Sequence, residues 1–293
     1  MNFYTELHQI MALDAGGRGL HGPMPDLAGL GRSLLNAERV LILTGFPVLS
    51  SREGAPVGET DGPPGAAELA AALGQIGCSV FVATDKVSLS LVTAALGAAA
   101  PAAKPVLIPN TGTADFTAGI LQMLRPSHLI ALERPGKGAD GHFHSMRGKI
   151  IDQGVADTDG FLALAREQGI TTVGIGDGGN ELGMGALREQ VAASVPYGAE
   201  IAARLPADYT LTSGVSNWWG AGLAALLSYK TGEDLLLNPE KGQELLRAVV
   251  EAGGVDGCTG MRAMTVDGLP LQVHQDRRRA LRRLLQEFQK RAE

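Results

Sequence analysis

Thr171-Thr172-Val173-Gly174-Ile175-Gly176 runs directly into Asp177-Gly178-Gly179-Asn180-Glu181-Leu182-Gly183-Met184-Gly185. The first part is apolar and β-branched without strict alternation, as in a strand covered on both faces. The second part is a turn that bends sharply and carries two carboxylates. Six glycines fall within residues 174–185. A helical pattern follows at Ala186–Val195, so the stretch reads as one strand–loop–helix unit of a parallel sheet.

The same unit recurs to either side. Apolar runs at Val40–Leu43, Val80–Ala83, Val106–Ile108, His128–Leu132 and Tyr209–Thr212 join Thr171–Ile175 as predicted strands. Helices are predicted at Ala66–Leu73, Val87–Ala99, Thr113–Leu124, Gly160–Gln168 and Asn217–Tyr229. Such alternation implies right-handed crossovers and an α/β fold. The expected architecture is an open, mostly parallel sheet, Rossmann-like and doubly wound, with helices on both faces. Pro239–Ala252 and Arg277–Lys290 read as extra C-terminal helices. Residues 1–293 are expected to form a single α/β domain, with 239–293 as a mainly helical appendage.

Composition narrows the function classes. The chain has 293 residues, with 45% hydrophobic, 19% charged and only 4% aromatic residues. That composition is globular, and it offers little aromatic surface for stacking single-stranded nucleic acid. Residues 276–293 carry seven basic and three acidic groups, which leaves −10 on the rest of a chain whose net charge is −6. An acidic body argues against duplex binding, so no nucleic-acid partner is expected. The basic C-terminal run reads as a solvated helix face covering that body, or as a contact in a homo-oligomer. Residues 209–229 carry no charge, but Ser213, Ser216, Asn217 and glycines interrupt them. A strand, a turn and a helix explain them better than a membrane span. Met1 to Glu6 lacks a secretory pattern, and Cys78 and Cys258 make no disulfide framework. A reduced, cytoplasmic setting is expected.

Ligands of open α/β sheets bind beyond the carboxyl ends of the strands. The residues there are Thr44-Gly45-Phe46, Glu59-Thr60-Asp61-Gly62-Pro63-Pro64-Gly65, Glu133-Arg134-Pro135-Gly136, Asp177 to Glu181, and Ser213 to Asn217. Gly174-Ile175-Gly176-Asp177-Gly178-Gly179 matches G-x-G-x-x-G, the dinucleotide fingerprint. Asp177 and Glu181 would repel a phosphate there, so an acidic loop for a cation or ammonium group is the better reading, with a purely structural turn as its competitor. Glu59 and Asp61 stand two apart before a rigid Pro-Pro pair. Together with Asp177 and Glu181 they could bind a divalent ion, or they could simply pair with Arg134, Arg147 or Lys149. Arg134 and Arg147 suit a substrate carboxylate. His142 and His144 share a face if extended, yet a polar surface loop explains them as well. Ser216 or Asn217 would cap the following helix.

Taken together, these motifs resemble the D-glutamate cyclase-like C-terminal domain family. Met146-Arg147-Gly148, Leu182-Gly183-Met184-Gly185 and Ser216-Asn217-Trp218 carry the resemblance further, as do Gly16-Gly17-Arg18-Gly19 and Val255-Asp256-Gly257. The resemblance implies dehydration of D-glutamate, or a related small acid, to 5-oxo-D-proline. Animal members join such a domain to an N-terminal hydro-lyase-type domain, which has no counterpart in this sequence. A separate partner of that type is one expectation, and a non-catalytic binding module for a small acid or nucleotide is another.

Cyclisation needs a held conformer, a base for the ammonium group and help for the departing oxygen. Glu59, Asp61, Asp177 and Glu181 are therefore the catalytic candidates. Thr44, Gly45, Arg134, Arg147, Gly178, Gly179, Asn180, Ser216 and Asn217 are candidates for substrate binding. Asp177 and Glu181 are the candidate ligands of Mg²⁺ or Mn²⁺, and no organic cofactor is expected.

Overall fold

The computed structural model describes residues 2–49 and 55–290. Its strands are β1 (Arg39–Thr44), β2 (Pro47–Leu49), β3 (Pro56–Gly58), β4 (Ser79–Thr84), β5 (Lys104–Leu107), β6 (His128–Leu132), β7 (Thr171–Gly176), β8 (Tyr209–Thr212), β9 (Thr265–Val266) and β10 (Leu269–Pro270). Its helices are α1 (Phe3–Met11), α2 (Leu27–Leu35), α3 (Pro63–Gln75), α4 (Leu89–Ala99), α5 (Thr113–Leu124), α6 (Asp159–Glu167), α7 (Arg188–Ser194), α8 (Gly198–Ile201), α9 (Asn217–Thr231), α10 (Pro239–Glu251) and α11 (Leu271–Lys290).

Six strands form one sheet in the order β5-β4-β1-β6-β7-β8, and every neighbouring pair is parallel. The pleat explains the unbroken apolar runs. Val40 and Ile42 of β1 join the core shared with α3, α4 and α9, whereas Leu41 and Leu43 join the core under α5 and α6. Burial of both faces makes the sheet doubly wound, as the pattern predicts. Counted in chain order, these six strands follow the dinucleotide-fold order, so the topological switch point lies between β1 and β6. Two short antiparallel pairs, β2–β3 and β9–β10, stand beside that crevice.

The C-terminal helices pack against the body of the chain. Leu245, Leu246, Val249, Leu281, Leu284 and Leu285 belong to the same core cluster as the sheet's α3 face. The basic face of α11 is engaged within the chain. Arg278 pairs with Glu68, Arg282 with Asp234, and Arg277 lies 4.9 Å from the Trp218 ring centroid. Residues 291–293 of the basic tail lie outside the described residues. Helices α1 and α2 lie ahead of the first strand, outside the alternation of apolar runs and helical patterns. Phe3, Leu7 and Met11 recur at helical spacing behind the Asn2 cap and pack into the main core.

One local device fixes the position of the site. Gly62, at φ 97°, turns the chain into Pro63 and Pro64, which open α3. The Asp61 carboxylate accepts from the backbone N–H groups of Ser216 and Asn217 at the start of α9, at 3.0 and 2.8 Å. The Asn217 side-chain oxygen in turn accepts from Gly62 and Gly65 N–H, at 2.9 and 2.8 Å. The two helices therefore cap each other. Ser216 occupies the N-cap position of α9, but its side chain makes no cap bond, and Asp61 supplies the carboxylate instead. Asn217→Ala should cost about 1–2 kcal/mol in urea unfolding, the usual loss for a helix cap. An unchanged midpoint would contradict this role.

His128 gives a pH signature. It is buried on β6 between the hydroxyls of Ser33 (2.8 Å) and Ser127 (2.9 Å). Burial pulls its pKa down from 6.5 to about 4. Between those values the unfolded chain binds more protons, so this group's contribution to stability falls as pH drops through the window. The full effect is about 3 kcal/mol. His128→Gln should flatten the fall in unfolding free energy between pH 6.5 and 4, and an unchanged slope would contradict the assignment.

Candidate functional site

Beyond the carboxyl ends of β1, β6 and β7 lies a cavity of about 140 Å³. Its inner wall holds Glu59, Glu133 and Asp267, all buried, together with Arg18. Its rim holds the exposed Arg147 and Lys149. A smaller hollow of about 50 Å³ lies by α3, α9, α10 and α11. Its one carboxylate, Glu68, already pairs with Arg278.

Glu133 follows β6 directly and sits at φ 45°, in the left-handed region that non-glycine residues seldom occupy. Its carboxylate accepts from the Ser216 hydroxyl at 2.5 Å, and it lines the same cavity as Glu59. Glu59 reaches in from the β3–α3 connection. Gly257 makes room for it, since a Cβ there would strike the Glu59 carboxylate. Burial pushes the Glu59 carboxyl well above its usual range, aided by Asp267 and Asp61 and opposed by Arg18. Glu133 is pushed up likewise by burial, then by Glu181, Asp61, Glu59 and Asp267.

Arg18 is the cation within this group. The loop between α1 and α2 delivers it, with Asp14 accepting from the N–H groups of Arg18 and Gly19, each at 2.9 Å. Its guanidinium pairs with Asp177 on one side and with Asp267, at 2.6 Å, on the other. Burial opposes its charge, but Asp267, Glu133, Cys258 and Glu181 outweigh that and hold its pKa above the ordinary value. The second carboxylate oxygens of Asp177 and Asp267 are buried without a hydrogen-bond partner.

The acidic loop turns inward on itself. Glu181 accepts from the backbone N–H groups of Asp177 (3.0 Å), Gly178 (2.7 Å) and Gly179 (2.7 Å). Burial raises its pKa, against the pull of these donors. A dinucleotide phosphate would need that N–H cradle, and the protein's own carboxylate fills it. Carboxylate oxygens of Asp61, Asp177 and Asp267 come within 4.8 Å of one another, as do those of Glu133, Asp177 and Glu181. Of the pair expected to hold Mg²⁺ or Mn²⁺, Glu181 accepts from its own loop through both oxygens, and Asp177 pairs with Arg18 through one oxygen while the other has no partner.

The predicted residues are thus sorted by the fold. Glu59, Arg147 and Asn180 line the cavity, and Asp177 touches it through Arg18. Gly178, Gly179 and Glu181 form the loop beneath. Asp61 and Asn217 are helix caps, and the Ser216 hydroxyl holds Glu133. Thr44 and Gly45 stand at the switch point but outside the cavity lining. Arg134, expected at the substrate, is wholly buried, bound to Asp85 (2.6 Å), Thr158 (3.1 Å) and the carbonyls of Gly45 and Ala156, and lies outside the cavity lining. His142 and His144 face different partners, Asp152 and Asp140.

Arg18, Glu133, Asp267 and Lys149 were not among the predicted site residues. Glu133 stands in Glu133-Arg134-Pro135-Gly136, where the neighbouring arginine is the residue type suited to a substrate carboxylate. Arg18 stood in Gly16-Gly17-Arg18-Gly19, where spacing gives no hint of a partner 159 residues away.

The sheet has the strand order of dinucleotide-binding folds, and among the described residues the cavity at its switch point has buried carboxyls inside and cations at its rim. A family model described as "D-glutamate cyclase-like, C-terminal" matches residues 7–282, and the chain belongs to that family. It is similar to the human protein named "D-glutamate cyclase, mitochondrial", at 33% identity over 302 residues. The match covers 90% of this chain and 49% of the human protein, so the chain spans about half the length of this curated relative. Among the described residues, no helix is long and apolar enough to cross a membrane.

Proposed function

We propose that this chain is a lyase that dehydrates a small amino-dicarboxylate, D-glutamate first, to 5-oxo-D-proline. The observation that carries the reading is the cavity's polarity. Glu59, Glu133 and Asp267 suit an ammonium group, and Arg147 and Lys149 at the rim suit carboxylates. In the reaction the amine nitrogen attacks the side-chain carboxyl carbon. A C–N bond forms, a C–O bond breaks, and two protons from the ammonium group leave with the oxygen as water. The nucleophile is tethered to its target, so holding the folded conformer supplies part of the rate. The family match supports the same reading.

The competing reading, a non-catalytic nucleotide module, is disfavoured by the Glu181-filled loop. A working partner, either a hydro-lyase-type domain or a second copy, belongs to the proposal, since the human relative is about twice as long as the matched region. A cytoplasmic, reducing setting belongs to it as well, in keeping with two free cysteines.

The test is incubation of the purified chain with D-glutamate, L-glutamate and D-aspartate, in chelator and in added Mg²⁺ or Mn²⁺. 5-Oxoproline from D-glutamate in chelator is the expected result. Its absence under every condition overturns the substrate. Stabilisation by nucleotides alone in a thermal-shift panel would favour the binding module.

A further inference from the structure

Trp218 lies in the first turn of α9, two residues beyond Ser216, whose hydroxyl holds Glu133 in the cavity wall. Asp267, also in that wall, stands in the turn between β9 and β10, and β10 runs straight into α11. One side chain joins these two segments. We propose that His274, in the first turn of α11, is a positioning residue for the cavity: its neutral imidazole ties the start of α9 to the β9–β10 hairpin, and protonation of the ring breaks the tie. This deepens the D-glutamate reading and rests on it for the effect on turnover, though not for the tie itself.

The hydrogen bonds fix the protonation state of the ring. The Trp218 indole Nε1–H can only donate, and it lies 3.1 Å from His274 Nδ1. The Leu269 carbonyl oxygen can only accept, and it lies 3.3 Å from Nε2. Nδ1 is therefore bare, and Nε2 carries the hydrogen. A proton added at Nδ1 would set two N–H donors against each other, so the charged ring cannot keep the Trp218 bond. The other neutral tautomer fails at both ends.

Both ends of the tie are coupled to groups at the site. Trp218 is buried, and its neighbours are already committed: Ser216 donates to Glu133 at 2.5 Å, and Asn217 caps α3. Leu269 pairs with Val266 across the hairpin, and Asp267 and Gly268 form its turn at φ 55° and 74°. Asp267 Oδ1 is the partner of Arg18 at 2.6 Å. A shift of the hairpin or of α9 therefore moves a carboxyl group in the cavity wall, and rates are sensitive to displacements of that kind.

Charged groups face the ring from several elements. Arg277 and Arg278 stand on its own helix, the first over the Trp218 ring and the second paired with Glu68 of α3. Asp267 in the hairpin and Asp256 ahead of it favour the charged ring, and Arg278 opposes it. The residues that α9 and α10 present to the hollow beside His274 are uncharged. Burial outweighs the Leu269 bond and the two aspartates, and it holds the ring below its ordinary value of 6.5. The tie is thus present at neutral pH and is lost as pH falls through that lowered value.

The test combines nuclear magnetic resonance with kinetics on the full chain, wild type against His274→Gln and His274→Leu. Glutamine can accept from Trp218 and donate to Leu269 without titrating, and leucine can do neither. Circular dichroism confirms folding. The chain has two tryptophans, Trp218 and Trp219, and the indole N–H signal that His274→Leu displaces at pH 8 belongs to Trp218. That signal should shift in the wild type with a midpoint below pH 6.5 and stay fixed in His274→Gln. Turnover of D-glutamate by the wild type should fall through the same window, and His274→Gln should hold its pH 8 rate there. His274→Leu should be about 10-fold slower at pH 8. A Trp218 signal that does not titrate above pH 4, or that titrates equally in His274→Gln, overturns the tie even if 5-oxoproline forms. A titrating signal with the same pH–rate profile in wild type and His274→Gln overturns the positioning role. A signal that behaves as expected without any turnover upholds the tie and overturns D-glutamate as substrate.

Discussion

Arg134→Met should destabilise the protein by about 3–5 kcal/mol, the typical cost of breaking a buried ion pair from one side. The guanidinium is fully buried and ties three segments together. It holds Gly45 after β1, Asp85 after β4, and Ala156 with Thr158 ahead of α6. Removing it strands the Asp85 carboxylate, which is 1% exposed, without its cation. The desolvation cost of that charge, more than the lost hydrogen bonds, sets the size of the effect. Adding Asp85→Leu should recover a large part of the loss, because an apolar pair of similar shape carries no stranded charge. Urea unfolding at pH 7 decides the matter. A loss below about 1 kcal/mol would show that the ion pair is dispensable. The same variant distinguishes scaffold from substrate clamp: a rise in KM without loss of stability would restore Arg134 to substrate binding.

Arg18→Met should have an effect of similar size, with a different pH dependence. The guanidinium lies between Asp177 and Asp267, and Glu59, Asp61, Glu133 and Glu181 are buried around it. Without it, Glu59, Asp61, Glu133 and Glu181, already pushed upward, face one another uncompensated and are driven further toward their protonated forms. Their folded pKa values then lie still further above their unfolded ones. The folded state of the variant therefore binds extra protons as pH falls, and its stability rises in that direction. A deficit of about 3–5 kcal/mol at pH 8 should shrink by pH 5.5. A deficit independent of pH would contradict the placement of Arg18 among the carboxylates. The variant also separates guanidinium from metal. Mn²⁺ should stabilise Arg18→Met, whose vacated position is flanked by Asp61, Asp177 and Asp267, and leave the wild type unchanged. Equal stabilisation of both would restore a metal site in the wild type.

The sheet was legible because its strands are buried on both faces. Continuous apolar runs mark such strands, and the residues of β6 and β8 coincide with the runs His128–Leu132 and Tyr209–Thr212. Turn residues from several of these runs meet at the cavity beyond the strands' carboxyl ends. The direction of each side chain was not legible. Asp61 and Glu181 are acidic residues in glycine-rich turns, as expected of a site, but backbone N–H groups claim both. Short carboxylates beside glycines are well placed to satisfy the local backbone, and sequence cannot separate that use from catalysis. Arg18 and Asp267 lay beyond reach for another reason. They lie 249 residues apart and meet only because the α1–α2 loop and the β9–β10 turn both fold over the switch point. Composition concentrated the glycines in the turns. The fold shows that two of them, Gly176 and Gly257, clear space for the carboxyl groups of Glu181 and Glu59.

The central claim is that the cavity dehydrates D-glutamate reversibly. Its most direct test is to hold the folded protein with D-glutamate in heavy-oxygen water and follow the substrate by mass spectrometry. Each cycle of ring closure and reopening would place solvent oxygen in the side-chain carboxylate, even where little 5-oxoproline accumulates. The account predicts label in D-glutamate at that carboxylate alone, and none in L-glutamate. Unlabelled D-glutamate, with no 5-oxoproline formed, would contradict it.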